Sequence, residues 1–98
     1  MLIVLAKITA KENMAENIIN EAKTLIESTR AEKGCIEYNL HVPIDENNVL
    51  LFVEKWENKQ SLESHLKQPH FIKFDSAIEN FIAKDLEIFV YSSEEITL

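Results

Sequence analysis

Two short segments contain residues whose types and spacing could support chemistry. Glu54 and Trp56 lie two apart in an apolar run, so on a strand their side chains point to the same side. His65 and His70 occur in the segment His-Leu-Lys-Gln-Pro-His-Phe. A carboxylate beside an aromatic ring predicts one wall of an apolar pocket. Taken alone, however, Glu-x-Trp is more often a core tryptophan beside a paired carboxylate.

The two histidines are expected in different environments. His65 shares a helical face with Leu62 and Leu66, which predicts that it points inward. His70 follows Pro69 at the start of a new helix, where the positive end of the helix dipole disfavours the imidazolium. A neutral imidazole is the better hydrogen-bond acceptor or general base. Backbone capping and burial in the core would explain the same pair equally well.

Metal ligation and nucleophilic catalysis have weaker support. Glu54, His65 and His70 form a two-histidine, one-carboxylate set, but no local spacing enforces it, and we expect no metal site. The single cysteine, Cys35, carries no catalytic signature and is expected to be a small buried residue. One glycine is too few for a phosphate-binding loop, so we expect no bound cofactor.

Charge and length restrict the partners further. The chain has 98 residues, which we interpret as one domain over residues 1–98. Its net charge of −7 disfavours nucleic acid and anionic membrane, which are bound mainly through Lys and Arg. No apolar run is long enough for a signal peptide core or a membrane span, so we expect a cytoplasmic protein.

Hydrophobic periodicity predicts the element order β-α-β-β-α-β, a ferredoxin-like α+β fold. The strands are predicted at residues 2–9, 35–42, 49–57 and 86–91. In the second strand, alternation predicts two faces. One face is expected to carry Ile36, Tyr38, Leu40 and Val42, and the other Cys35, Glu37, Asn39 and His41.

Five residues predict where the helices begin and end. Asn13 with Glu16 resembles a capping box at the start of the first helix, and Gly34 fits a left-handed C-cap at its end. Asn58 is expected to cap a second helix, which Pro69 interrupts and restarts.

The sheet is expected to be covered on both faces. Two helical segments cover one face of a four-stranded sheet, but the first and third strands are apolar on both sides. An exposed apolar face of this size is unusual in a monomer. A second copy packed about a two-fold axis would cover it, so we expect a homodimer.

In this order of elements, the chain resembles the antibiotic biosynthesis monooxygenase (ABM) family over about residues 2–92. The segments that carry the resemblance are Ala6-Lys7, Arg30-Ala-Glu-Lys-Gly-Cys35, Tyr38, Glu54-Lys-Trp-Glu-Asn58 and Leu62-Glu-Ser-His-Leu-Lys-Gln-Pro-His-Phe71. One departure is Glu12-Asn13, where relatives often carry Pro-Gly.

The resemblance implies a dimeric α+β barrel that oxidises a hydroquinone-like or polyphenolic substrate with O₂, without metal, flavin or haem. Trp56 and Phe71 would be walls of the pocket, with Glu54 as its carboxylate. His65 or His70 would be the base or the oxyanion partner. Tyr38 and Asn39 lie on opposite faces of one strand, so only one of them can contact the substrate.

The family includes other activities, which stay open as alternatives. One branch isomerises a phosphorylated dione signal molecule and would need a cationic site, for which Lys67 and Lys73 are the nearby candidates. A haem-degrading branch is disfavoured because its tryptophan and histidine positions are His65 and Asp75 here. A non-enzymatic dimer that binds a small aromatic metabolite is the third alternative.

Overall fold

A computed structural model describes residues 1–98 and confirms the predicted α+β fold. The elements are β1 (Leu2–Thr9), α1 (Ala15–Arg30), β2 (Cys35–His41), β3 (Val49–Trp56), α2 (Lys59–Leu66), α3 (Pro69–Ala77) and β4 (Glu87–Ser92). The prediction at Pro69 is confirmed: the proline ends α2 and occupies the first turn of α3. No helix has the length and apolar character needed to cross a membrane.

The four strands form one antiparallel sheet in the order β2-β3-β1-β4. Its register aligns side chains in rows across all four strands. One row consists of Tyr38, Glu54, Val4 and Val90, and lies on the face that the helices cover. The adjacent row consists of Asn39, Val53, Leu5 and Phe89, and lies on the opposite face. These two rows define the inner and the outer face of the sheet.

The core lies between the inner face and the helices. In α1, the predicted apolar stripe is confirmed by the burial of Ile18, Ala22, Leu25 and Thr29. From α3, Phe74 packs edge-on against Phe52 of β3. The helices leave β4 at the open edge of this layer, and its inward-facing Ile88 and Val90 are each about half exposed.

The two predictions about the ends of α1 are wrong in detail. Asn13 adopts a positive φ of 64° in the preceding turn, and the N-cap is Met14 without a side-chain hydrogen bond. At the other end the C-cap is Ala31, in an ordinary right-handed conformation. Gly34 does have a left-handed φ of 86°, but it serves the turn into β2. A Cβ there would overlap the side chain of Ser61, so this position also requires glycine for packing.

The predicted cap of α2 is confirmed. Asn58 has an extended backbone, and its Oδ1 accepts a hydrogen bond from the backbone N–H of Ser61 at 2.9 Å. This cap lies two residues after Trp56, and α2 begins at the next residue. The close connection holds the first turns of α2 against the end of β3.

The strict alternation predicted for β2 is wrong at its start. The pairing with β3 shifts between Cys35 and Glu37, so Ile36 is the extra residue of a β-bulge. As a result Ile36 is exposed, whereas Cys35 pairs with Trp56 and packs against the core. Beyond the bulge, Tyr38 and Leu40 face inward as expected.

Candidate functional site

A cavity of about 90 Å³ lies between the inner face of the sheet and helices α2 and α3. The row Tyr38, Glu54, Val4 and Val90 forms part of its floor. The other lining residues are mostly apolar side chains, together with His65 and Asp75: Ala6, Phe52, Leu62, His65, Leu66, Phe71, Phe74, Asp75, Leu86 and Ile88. The cavity therefore suits an apolar ligand that has only a few polar groups.

His65 is the basic nitrogen group of the cavity. Helix α2 places it inward, as predicted, and only 1% of it is exposed. Aromatic rings surround the imidazole, with ring centroids at 4.8 Å for Trp56, 5.1 Å for Phe71 and 5.4 Å for Tyr38. These contacts restrict the ring to one orientation.

Glu32 connects the two histidines, although no sequence pattern identified it as a functional residue. One of its carboxylate oxygens lies 2.8 Å from Nδ1 of His65 and 2.7 Å from Nε2 of His70. It belongs to the turn that follows α1, 33 positions before His65. The segment that contains Glu32 contributes to the family resemblance, but no local spacing connects it to either histidine.

The contact with Glu32 determines which nitrogen of His65 is free. A carboxylate oxygen accepts hydrogen bonds, so Nδ1 of His65 carries the proton. Nε2 has no protein partner and remains an acceptor on a side chain that lines the cavity. Burial lowers the pKa of His65, and Glu32 partly opposes this effect. At neutral pH the imidazole is therefore uncharged, as a general base must be.

Glu54 is the second polar group of the cavity, and Trp56 lies behind it. Trp56 is completely buried and does not line the cavity; its indole N–H donates to Oε1 of Glu54 at 2.9 Å. The structure therefore places Trp56 next to the site but not on the wall that the sequence predicted. Burial raises the pKa of Glu54 to about 7, although the Trp56 hydrogen bond acts in the opposite direction.

Of the two candidates on β2, Tyr38 lines the cavity and Asn39 lies on the outer face. Arg30 holds both positions from the end of α1: its Nε donates to the backbone carbonyl of Tyr38 at 3.1 Å, and a terminal nitrogen donates to Oδ1 of Asn39 at 2.8 Å. Burial raises the pKa of Tyr38 well above its usual value, although a hydrogen bond with Thr29 of α1 acts in the opposite direction, so the hydroxyl of Tyr38 stays protonated.

The remaining predicted residues separate into two groups. Phe71 lines the cavity, whereas His70 lies outside it, in a separate groove that also contains Lys73. Asp75, which stands where the haem-degrading branch has a histidine, lines the cavity as well. Cys35 is partly buried, and burial together with Glu32 and Glu54 raises the pKa of its thiol, which makes it a poor nucleophile at neutral pH.

The carboxylate that joins the histidines differs from the predicted one. Glu32, His65 and His70 present donor atoms within 4.8 Å of one another, whereas Glu54 bonds to Trp56. Imidazole and carboxylate groups of this kind are metal ligands in many proteins. Here the two ring nitrogens and the shared carboxylate oxygen already satisfy one another by hydrogen bonds. The same geometry orients a general base.

Comparisons with known proteins identify relatives over most of the chain. The chain is 34% identical over 94 residues to the uncharacterized protein sll1783 of Synechocystis sp.. The aligned region covers 96% of this chain but 64% of that protein. It is 30% identical over 88 residues to "Putative monooxygenase YcnE" of Bacillus subtilis, with 90% of this chain and 85% of that one covered. A crystal structure of a conserved protein from Methanosarcina mazei superposes with a TM-score of 0.91 at 29% identity, over 95% of this chain and 92% of the other.

The comparison with family profiles covers most of the chain. The profile described as antibiotic biosynthesis monooxygenase matches residues 1–76, which include β1 through α2 and most of α3. The matched region contains Glu32, Tyr38, Glu54, His65 and His70. The chain therefore belongs to the antibiotic biosynthesis monooxygenase family.

Proposed function

We propose that this protein is a cofactor-independent monooxygenase that oxidises a hydroquinone-like or polyphenolic small molecule with O₂. The observation that carries the proposal is the imidazole of His65, which is buried, uncharged at neutral pH and oriented by Glu32 with one nitrogen free at an apolar cavity. Family membership and the name of the Bacillus subtilis relative support oxygenase chemistry.

The proposed reaction needs no electron donor other than the substrate. Nε2 of His65 accepts a phenolic proton, and the resulting anion is electron-rich enough to pass an electron to O₂. For a hydroquinone, the balanced overall change is one hydroquinone plus one O₂ giving one hydroxyquinone plus one water. One ring C–H bond becomes C–O, the second oxygen atom leaves as water, and His65 returns its proton during water formation.

Each residue of the site has a proposed role in this reaction. His65 is the base, and Glu32 stabilises the imidazolium that forms transiently. Tyr38 donates to substrate oxygen, and Phe71 packs against the ring. His70, the alternative base in the sequence analysis, is better placed to hold Glu32 from outside the cavity.

The lining of the cavity favours an oxygenase over an isomerase of a phosphorylated dione. No Lys or Arg lines the cavity, whereas Glu54 and Asp75 do. A phosphate group there would lack a cationic partner and would face two carboxyl groups. Lys73 lies in the separate groove with His70, and Lys67 is the exposed C-cap of α2.

We further propose that the 98 residues act as one domain and that two copies form a homodimer through the outer face. On this face Val53, Leu5 and Phe89 lie side by side across three strands, and Ile3 is paired with Tyr91. Phe89 and Tyr91 are about half exposed. Light scattering at micromolar concentration should give about twice the 11.3 kDa of one chain, and a stable monomer would contradict the dimer.

Oxygen consumption tests the proposed function. The purified protein should consume O₂ when a member of a hydroquinone and polyphenol panel is added, and no added cofactor should be required. Binding of panel members without O₂ consumption would instead favour the non-enzymatic binder. Isomerisation of a phosphorylated dione without O₂ consumption would favour the isomerase.

A further inference from the structure

We infer that Glu54 acts as an uncharged hydrogen-bond donor in the cavity, so that the protein selects ligands with two oxygens, one donating to His65 and one accepting from Glu54. This inference deepens the proposed function and rests on it, because it assigns a second ligand-binding group to the same cavity. It also narrows the ligand class to neutral aromatic rings that carry a hydroxyl and a second oxygen substituent.

The position of Glu54 carries the inference. Only 5% of the residue is exposed, and it lines the apolar cavity without an ion-pair partner. No Lys or Arg lines this cavity. An ionised carboxylate without a countercharge is strongly disfavoured in such surroundings. Burial accordingly raises the pKa of Glu54 to about 7.

Trp56 determines which oxygen of Glu54 carries the proton. The indole N–H is a donor only, and it donates to Oε1 at 2.9 Å. In the protonated carboxyl group, Oε1 is therefore the carbonyl oxygen and Oε2 carries the O–H. Oε2 has no protein partner, so its proton is available to a ligand in the cavity.

His65 and Glu54, two of the polar side chains that line the cavity, are thus oriented in the same manner. Glu32 orients His65 so that it presents an acceptor, and Trp56 orients Glu54 so that it presents a donor. A ligand with one hydroxyl and one acceptor oxygen satisfies both groups. A ligand that lacks the second oxygen leaves the Glu54 donor unpaired, which lowers its affinity.

Several other titratable groups face Glu54 or its neighbours. Tyr38 of β2, His65 of α2 and Asp75 of α3 line the same cavity. Glu32, in the turn after α1, adds its negative charge to the effects on Glu54. Cys35 of β2 pairs with Trp56, and His70 of α3 bonds to Glu32. A test must therefore isolate Glu54 by substitution as well as by pH.

The test is anaerobic calorimetry with two matched probes, 4-methoxyphenol and 4-ethylphenol, which differ at the second oxygen. At pH 6 the parent protein should bind 4-methoxyphenol about tenfold more tightly than 4-ethylphenol, as expected for one buried hydrogen bond. Glu54→Leu should abolish this preference. Glu54→Gln retains a neutral donor and should recover most of it. The exposed acid Glu63→Gln is the control and should retain the preference of the parent protein.

The pH dependence sharpens the test. Between pH 6 and pH 8.5 the parent protein should lose most of its preference for 4-methoxyphenol because Glu54 ionises, whereas Glu54→Gln should keep its preference. The inference is overturned if Glu54→Gln shows no preference, if the preference of the parent protein persists at pH 8.5, or if neither probe binds. Because the measurement requires no turnover, a preference without O₂ consumption would contradict the proposed function alone.

Discussion

The two faces of the sheet carry similar apolar side chains but differ in how well they are covered. On the inner face, Val4, Ala6 and Ile8 of β1 are buried beneath the helices. On the outer face, Ile3 and Leu5 of the same strand are only partly buried, although their apolar character is comparable. The difference lies in the neighbours, because the helices pack on one face only.

Polar groups are distributed unevenly between the two faces as well. Inner-face Glu54 is buried and bonded to Trp56, whereas outer-face Lys55 forms a partly exposed ion pair with Glu37 at 3.5 Å. An exposed ion pair of this kind contributes little to stability, while a buried carboxyl has a strongly altered protonation equilibrium. Of these two polar groups, only Glu54 therefore has a protonation state that depends on its surroundings in the fold.

The largest expected effect comes from placing a charge on each face of β1. Val4→Glu buries an unpaired carboxylate beneath the helices and should prevent folding, since such a charge costs several kcal/mol, or roughly the stability of a small domain. Leu5→Glu, one residue away, should instead leave a folded chain that no longer dimerises. Circular dichroism and light scattering separate the two outcomes.

Ile44→Glu is the control for these variants because Ile44 is fully exposed in the turn before β3. It should be folded and as dimeric as the parent protein. If Leu5→Glu also dimerises like the parent protein, the outer face is not the interface.

The second effect concerns catalysis at the inner face. His65→Ala removes the proposed base and should lower the turnover number by about 10²–10⁴-fold while the protein stays folded. The matched control is His41→Ala, which removes the exposed histidine of β2. Activity should be measured as substrate-dependent O₂ consumption. Near-parental activity of His65→Ala would contradict the assignment of the base.

The third effect is a pH-dependent change in stability. A carboxyl whose pKa is raised on folding binds its proton more tightly in the folded state than in the unfolded state. Its stabilising contribution to the free energy of unfolding is therefore complete below pH 4.5 and is lost as pH rises through about 7. Glu54→Gln removes this loss. As pH rises from 5 to 8, the unfolding free energy of Glu54→Gln should therefore increase by about 2–3 kcal/mol relative to that of the parent protein.

Urea denaturation at the two pH values measures this gain, with Glu63→Gln as the exposed control. Equal pH dependence in the parent protein and Glu54→Gln would show that Glu54 is ionised in the folded state throughout this range.

The smallest effect is expected for Trp56→Phe. The substitution removes the N–H that bonds to Glu54 and should destabilise the protein by about 1–2 kcal/mol. That hydrogen bond lowers the pKa of Glu54, so its loss should raise this pKa further. The loss of stability with rising pH should then extend to higher pH than in the parent protein. The same substitution in a Glu54→Gln background should cause no such shift, and a shift there would contradict the link between the two residues.

The fold was largely predictable because each element has a local signal. Strand alternation, the helical stripe of α1, the Asn58 cap and the restart at Pro69 depend on residues close in sequence. The errors also have local causes. The β-bulge at Ile36 reverses the alternation, although Ile36 and its two neighbours are neither glycine nor proline. Asn13 adopts the left-handed turn itself instead of capping α1.

The site was only partly predictable because its decisive contacts join distant residues. The inward direction of His65 followed from helical spacing, but its contact with Glu32 joins residues 33 positions apart. The shared face of Glu54 and Trp56 was predictable. How deeply each of these two side chains is buried was not predictable. The position of Trp56 behind the cavity depends on how α2 returns over β3.

The most direct test of the central claim is the fate of molecular oxygen in a single assay with ¹⁸O₂. A hydroquinone substrate identified by O₂ consumption should yield a hydroxyquinone with one ¹⁸O atom per molecule and labelled water, and His65→Ala should lose both products together. Formation of labelled hydrogen peroxide with an unlabelled quinone would instead show an oxidase, and would contradict the assignment of this cavity as a monooxygenase site.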